Sequence, residues 1–264
     1  MMWGFDFLQN EGALAGALRN HQTLERITIT LPSNGNLEWA SMDVYAMGFA
    51  SVKNLKCLCI RSKAKKQEDA LISPEALGIL MGSKAIESLY LENCGLVDDH
   101  TDVIAEELPK NKTMQLLDLK HNAFTDDALY TIARALPNNK TLKSLDLSGA
   151  QITEGGVMAL AEAMRKNVTL THLELEGEES RFVDEFDIPE GHKNTDYMQA
   201  LYFRLRLNRA GTGENREQFC QALNLVSDHL GCIYHLVRHN AKFCDRNFEE
   251  SDDKYVKPFF HQWG

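Results

Sequence analysis

Leucine and other apolar residues recur along the first two thirds of the chain in the order L-x-x-L-x-L. Three copies, each 28 residues after the last, read TMQLLDL, TLKSLDL and TLTHLEL at residues 113–119, 141–147 and 169–175. Another copy lies one period upstream at 86–91, and two looser copies at 55–60 and 24–29 follow a spacing of 31. Such self-similarity is the signature of a repeat architecture with six copies of one unit.

Within each copy, the two apolar residues of L-x-L point to one face of a short strand and the residue between them points to the other. An apolar pattern with helical spacing follows the strand. Examples are Ala128, Leu129, Ile132, Ala133 and Leu136 in one repeat, and Val157, Leu160, Ala161 and Met164 in the next. One strand and one helix cannot bury a core alone, but a stack of such units can, which predicts an α/β solenoid.

The motifs at 117–122 (LDLKHN) and 145–150 (LDLSGA) are similar to the L-D-L-x-x-N signature of the leucine-rich repeat family, specifically its ribonuclease-inhibitor-like class. The resemblance covers about residues 8–177 and implies a horseshoe, with a parallel sheet on the concave face and helices on the convex face. Cys94, Asn122 and Ala150 occupy the last signature position, where an Asn or Cys usually satisfies backbone groups of the turn. Ala150 departs from that pattern.

Each helix pattern ends in an Asn-x-Thr triplet, at Asn111, Asn139 and Asn167. Asn tolerates the left-handed conformation that stops a helix, and Thr opens the next strand. The triplets also match the N-glycosylation pattern. Because they recur at the repeat period and no secretion signal precedes them, we favour the structural interpretation.

The sequence predicts four parts. Residues 1–177 form a repeat domain of about six repeats, the first incomplete, so either residues 1–7 are an unusual cap or the chain is a fragment of a longer one. Residues 178–195 form an acidic loop, residues 196–244 an all-α helical cap that covers the last repeat, and residues 245–264 a tail.

Composition narrows the class of protein. The chain has 264 residues, a formal net charge of -10 and 44% hydrophobic residues, which fits a folded globular protein. Six cysteines are too few for a disulfide scaffold, and no apolar run is long enough to span a bilayer. We therefore expect a cytoplasmic protein that binds neither membrane nor nucleic acid, because phosphate-backbone binding needs clustered Lys and Arg.

The negative charge is concentrated in two segments. Residues 176–190 contain seven acidic residues and one basic residue (-6), and residues 245–254 contain five acidic and two basic residues (-3). Together these segments hold -9 of the net -10. A basic partner, if there is one, is therefore expected beside the last repeat or at the tail.

Catalytic chemistry is scarce in the sequence. There is no G-x-S-x-G elbow and no phosphate-binding loop, so we expect no enzyme activity and no cofactor. His229, Cys232, His235 and His239 have spacing that could ligate zinc, but helix-surface and packing roles are commoner, and we assign no metal site. Cys57 and Cys59 could form a thiolate pair, although two small residues on a sheet are the simpler interpretation.

The surface most suited to function is the row of non-core residues along the strands, because solenoids use such surfaces for extended recognition. We predict a non-enzymatic scaffold that binds a protein partner there. The candidate contact residues are Arg26, Arg61, Tyr90, Glu92, Leu116, Asp118, Asp146, His172, Glu174 and Glu176. Tyr and Arg are enriched at binding hot spots. Asp118, Asp146 and Glu174 form a column of like charges that could bind a basic partner or a cation. Acidic residues are common at this signature position in the resembled family, and Lys120, Lys143 and His172 are near enough to offset the charges, so a purely structural role of the column is the favoured interpretation.

The resemblance also implies an alternative. Ran GTPase-activating proteins share the repeat class, so a regulatory role towards a small GTPase is a second hypothesis. Inhibition of a ribonuclease has less support, because that inhibitor family is rich in cysteine and this chain is not.

Overall fold

The computed structural model describes residues 18, 23–31, 42–64, 70–175, 201, 204, 205 and 208. Strands and helices alternate along these ranges. In chain order they are β1 (Arg26–Leu31), α1 (Met42–Ser51), β2 (Cys57–Ser62), α2 (Pro74–Met81), β3 (Ser88–Glu92), α3 (Asp99–Glu107), β4 (Leu116–Asp118), α4 (Asp126–Ala135), β5 (Ser144–Asp146), α5 (Glu154–Met164) and β6 (His172–Glu174).

The six strands form one parallel sheet in the order β1-β2-β3-β4-β5-β6, so every strand pairs with its neighbours in the sequence. The central residues of the six L-x-L motifs are in register, for example Tyr90 with Asp118 and Asp118 with Asp146. Helices of consecutive repeats pack side by side in the same order. The prediction of an α/β leucine-rich repeat solenoid is confirmed.

The core lies between the sheet and the helices. The leucines of each strand point into it, and Leu89, Leu91, Leu117, Leu145 and Leu147 are at most 1% exposed. The predicted apolar faces of α4 and α5 are buried against the same cluster. Alternating burial along the strands therefore follows the alternation that was visible in the sequence.

Buried asparagines tie each helix end to the start of the next strand. In Asn139, Oδ1 accepts the N–H groups of Thr141 (3.0 Å) and Leu142 (2.7 Å), while Nδ2 donates to the carbonyl of Leu108 in the preceding repeat (2.6 Å). Asn111 and Asn167 make the equivalent bonds. All three side chains are buried and committed to this network, which supports a structural role of the Asn-x-Thr triplets over a glycosylation role. The expected left-handed backbone is wrong, because Asn139 is extended (φ -85°, ψ 135°) and neither Asn111 nor Asn167 has a positive φ. These asparagines act through side-chain hydrogen bonds instead.

This asparagine ladder has an unusual member at each end. Ser83 stands one period before Asn111, and its hydroxyl accepts the N–H groups of Ala85 and Ile86 at 3.3 and 3.4 Å. At the other end, Asn208 donates to the carbonyls of Asn167 (3.1 Å) and Leu170 (2.7 Å). The last repeat therefore receives an amide donor from a residue far outside the repeat period.

A second network fixes the turn that follows each strand. Asn122 accepts the N–H groups of Cys94 (2.9 Å) and Leu96 (3.1 Å) and donates to the carbonyls of Leu91 (2.8 Å) and Leu119 (2.7 Å). At the same position one repeat earlier, the Cys94 thiol donates to backbone carbonyls instead. The turn role expected for Asn or Cys at this position is confirmed at both residues.

A third network, which the sequence analysis did not predict, joins the helix N-termini. The carboxylate of Asp98 accepts the N–H (2.9 Å) and the hydroxyl (2.6 Å) of Thr125, and Asp126 accepts the same two groups of Thr153. Each threonine also caps its own helix by accepting an N–H in the first turn. This arrangement is a helix cap that is held in place by the neighbouring repeat.

Most of the predicted C-terminal parts lie outside the described residues, namely the acidic loop, the tail and the 229–239 His/Cys set. The incomplete first repeat at the N-terminus also lies outside them, apart from the buried, helical Leu18. Within the predicted cap, residues 201, 204, 205 and 208 are helical and buried, and Leu201 and Leu205 join the core of the repeats. No helix within the described ranges is long and apolar enough to cross a membrane.

The asparagine ladder can be tested at its best-buried member. We expect Asn139→Ala to lower the free energy of unfolding by about 2–4 kcal/mol, because it leaves buried groups of Leu108, Thr141 and Leu142 unpaired. Asn138→Ala is the matched control: this asparagine is exposed, and we expect a change within about 0.5 kcal/mol. Urea unfolding followed by circular dichroism measures both, and equal stabilities would contradict the assignment.

The helix packing can be tested at two neighbouring glycines of α5. A Cβ at Gly156 would lie 2.5 Å from Asp126 Oδ1 and 2.8 Å from Leu129 Cδ2. Asp126 cannot move away without losing its bonds to Thr153. We therefore expect Gly156→Ala to destabilise the protein by about 1–3 kcal/mol in the same unfolding measurement.

Gly155→Ala is the control for that variant. Its Cβ would be 2.6 Å from the hydroxyl of Tyr130, which is the far end of an exposed and movable side chain. Because alanine favours a helix over glycine by up to about 1 kcal/mol, we expect this variant to be neutral or more stable than the wild type. If both alanine variants had the same effect, the close packing at Gly156 would not be a constraint.

Candidate functional site

The side chains that do not enter the core line the concave face of the sheet in three rows. The first row is Arg26, Cys57, Ser88, Leu116, Ser144 and His172. The second row is Thr28, Cys59, Tyr90, Asp118, Asp146 and Glu174. Arg61 and Glu92 belong to the third row, together with Thr30.

Nine of the ten residues predicted as contacts lie on these rows. The tenth candidate, Glu176, lies outside the described residues. Exposure differs along the set: Arg26, Arg61, His172 and Glu174 are exposed, and Tyr90, Glu92, Leu116 and Asp146 are partly exposed, whereas Asp118 is buried. The structure therefore brings the candidates onto one surface, and their role in binding stays a prediction.

Charge is divided along the face. Arg26 and Arg61 lie on β1 and β2, and the guanidinium of Arg61 donates from Nε to the hydroxyl of Thr30 (3.1 Å). The acidic residues of the second row, which is the central row of the face, lie at the opposite end, on β4, β5 and β6. Tyr90 on β3 stands between the two groups, so an aromatic side chain separates a basic end from an acidic end.

An ion pair that the sequence analysis missed marks the boundary. Lys120 Nζ lies 3.5 Å from Glu92 Oε1, and both side chains are partly exposed. Lys120 comes two residues after Asp118 in the sequence, which made it a candidate to offset the carboxylates. Lys143, expected in the same role, instead donates to the side-chain oxygen of Gln115 at 3.0 Å.

Asp118 is the most unusual group of the face. Burial raises the pKa of its carboxyl group, and the neighbouring Asp146 and Glu92 raise it further. The hydrogen bond from the N–H of Lys120 to Oδ1 (3.1 Å) and the charge of Lys120 act in the opposite direction on that pKa. The like charges expected from the L-D-L pattern therefore do crowd at this strand.

The thiol of Cys59 is poorly suited to nucleophilic or thiolate chemistry. Burial raises the pKa of Cys59 above its ordinary value of 9.0, although Arg61 lowers it, so the thiol stays protonated near neutral pH. Burial also raises the pKa of Tyr90, so its hydroxyl remains neutral. Among the described residues, no group of three or more His, Cys, Asp or Glu side chains is arranged to hold a metal ion.

The repeated strand–turn–helix unit, the single parallel sheet and the ladders between repeats define a solenoid of α/β repeats. A family model described as Leucine Rich repeat matches residues 110–133 and 138–161, which are two consecutive repeats of this array. The matched residues are therefore leucine-rich repeats, and the fold of the described residues is a leucine-rich repeat solenoid.

The solved structures that are similar to this chain at low identity include the following two. The actin-binding site 2 of leiomodin-1 is 15% identical, with a TM-score of 0.42, over 90% of this chain and 100% of that one. The tropomodulin C-terminal domain of Caenorhabditis elegans is 12% identical, with a TM-score of 0.39, over 77% of this chain and 99% of that one. No curated protein matches the chain.

The pKa of Asp118 can be tested by measuring stability against pH. Because the pKa of this carboxyl group is higher in the folded state, the folded protein binds the proton more tightly than the unfolded chain does. The free energy of unfolding therefore falls as the pH rises from the unfolded value of 3.8 through the folded pKa. Asp118→Asn keeps the Oδ1 acceptor for the N–H of Lys120 and removes the charge. We expect a higher melting temperature than wild type at pH 7, and no difference once the pH is below the ordinary value of 3.8.

Asp146→Asn serves as the matched control for this test. Asp146 accepts the N–H of Ser148 in the same way (2.9 Å) but is only partly buried, so we expect a smaller gain. A loss of stability at pH 7 in Asp118→Asn alone would show that the ionised carboxylate of Asp118 stabilises the fold, against this account.

Proposed function

We propose that this protein is a non-enzymatic scaffold that binds a partner protein on the concave face of its repeats. The observation that carries the proposal is the register of the sheet, which presents Tyr90 and Leu116, both partly exposed, among charged side chains on hydrogen-bonded strands. An aromatic anchor within a rigid, charged surface is the composition of a binding hot spot with a polar rim.

We also assign the repeats to the ribonuclease-inhibitor-like class as part of this proposal. The support is the period of 28 residues and the full helix of 8–11 residues that follows each strand from β1 to β5. A cytoplasmic location belongs to the same proposal. It is supported by the free thiols of Cys57, Cys59 and Cys94, since structural disulfides are rare in the cytosol.

The direct test is affinity capture from cell lysate at low and moderate salt, with binding of the identified partner then measured in purified form. We expect the triple variant Asp118→Asn, Asp146→Asn, Glu174→Gln to weaken binding about tenfold or more, which is about 1.4 kcal/mol. Binding by the wild type should also weaken as salt rises, because exposed charges are screened.

A second triple variant on the convex helices controls for net charge. Glu106→Gln, Glu154→Gln and Glu162→Gln change the charge by the same amount at exposed positions, and we expect them to leave binding unchanged. A partner that binds the concave variant as well as the wild type would refute the surface assignment. Stimulated hydrolysis of GTP by any of a panel of small GTPases would refute the non-enzymatic role.

A further inference from the structure

The central row of the concave face has a spacing that selects among shapes of partner. Tyr90, Asp118, Asp146 and Glu174 stand directly opposite one another on β3 to β6. Adjacent strands lie about 4.8 Å apart, so the four side chains span about 14 Å in a line across the strands. A partner that contacts all four must present a side chain at nearly the same interval.

An α-helix meets this requirement better than an extended chain. Residues on one helix face recur about every 5.4 Å along the axis, at positions i, i+4, i+7 and i+11. Over three steps the mismatch with the row is about 2 Å, which long side chains absorb. Same-face residues of a strand recur about every 6.6 Å, so the mismatch grows to about 5 Å over the same distance.

The charges along the row indicate which side chains a partner helix needs. Three successive carboxylates are complementary to three basic side chains, and Tyr90 is complementary to an apolar side chain at the next position. Exposure increases from Asp118, which is 8% exposed, through Asp146 to Glu174. The residue that meets Asp118 therefore needs the longest reach, as in Lys or Arg.

The two ends of the face also fix a direction. The N-terminus of a helix carries a partial positive charge and its C-terminus a partial negative charge. The acidic end at β5 and β6 favours the N-terminus, and the guanidinium groups of Arg26 and Arg61 at β1 and β2 favour the C-terminus. A bound partner helix would therefore have its N-terminus at β6 and its C-terminus towards β2.

We propose that the concave face binds an amphipathic α-helix of the partner protein, laid across the strands from β6 to β2, with basic residues at i, i+4 and i+7 over Glu174, Asp146 and Asp118 and an apolar residue at i+11 over Tyr90. This inference rests on the proposed function and specifies the partner's chemistry. The raised pKa of Asp118 supports it, because a cation placed there favours the ionised form that burial disfavours.

The test uses the full chain and labelled synthetic peptides of about 20 residues, about 30 Å long as helices. The first peptide has Lys at i, i+4 and i+7 and Leu at i+11 in an alanine-rich background. Controls have the same composition with the four residues spread around the helix, or with a central proline. Fluorescence anisotropy should show that both controls bind at least about tenfold more weakly than the first peptide.

A charge exchange tests register and direction together. Glu174→Lys should weaken the first peptide, and replacing the peptide Lys at i by Glu should restore binding to that variant. The same replacement at i+7 should not restore it. Restoration at i+7 instead of i would overturn the direction, and equal binding of the first and the spread peptide would overturn the helical geometry.

Two further results separate this inference from the proposed function. Tyr90→Ala should weaken the first peptide about tenfold, with an unchanged circular dichroism spectrum as the control for folding. A peptide with Lys at i, i+2 and i+4 in an extended, β-branched background is the rival. Tighter binding of that rival would overturn the helix while the scaffold proposal stands, whereas a captured partner that ignores the concave triple variant would overturn both.

Discussion

Buried backbone groups at the two turns of every repeat are the constraint on which the whole structure depends. Short parallel strands and helices end inside the stack, so their last N–H and C=O groups are out of reach of water. Each such group left unpaired costs about 1–3 kcal/mol. One Asn139 side chain pairs two N–H groups of its own repeat and a carbonyl of the preceding repeat. Because that amide reaches both ways, it sets the offset between neighbouring repeats as well as satisfying the turn.

That offset explains where the chain tolerates extra residues. From β3 onwards the strands follow one another every 28 residues, and the buried asparagines stand at the same interval. The extra length of the repeat that begins with β2 falls between Ser62 and Ser73, after the strand and before the helix. This connection lies outside the helix-to-strand turn, where Ser83 holds the position of the asparagine. Length therefore varies on the side of the repeat that the asparagine ladder does not control.

Sequence reasoning predicted the parts of the fold that depend on local periodicity. Alternation in L-x-L gave the strand faces, and helical spacing gave the buried faces of α4 and α5. It did not predict the bond from Asp126 to Thr153, because the two residues meet only once neighbouring repeats stack. A signal was present, since Asp98 and Thr125 recur one period later. The position of Asn208 carried no comparable signal, because it lies outside the period.

The candidate site was predictable in outline for the same reason. Register follows from the repeat, so the sequence was enough to place nine of the ten candidates together on one face. It could not rank them, because burial depends on neighbours across strands: Asp118 is buried, whereas the equivalent Asp146 is partly exposed and Glu174 is exposed. The pairing of Lys120 with Glu92 likewise depends on two different strands. The position of each side chain on the face follows from the local sequence, whereas its burial and its ion pairs depend on residues of other strands.

The aligned carboxylates of the central row are not required by the sheet itself. The same row position holds Thr28, Cys59 and Tyr90 in the first three strands, and those strands pair equally well. In Asp118 and Asp146, one carboxylate oxygen accepts the N–H two residues on, which gives each aspartate a local role in its turn. That role uses one oxygen of a group with about four acceptor sites. The remaining acceptor capacity lies beside like charges, at a strand where burial already disfavours ionisation. A cation on the face would relieve both penalties, and this is the physical reason for which we propose a basic partner.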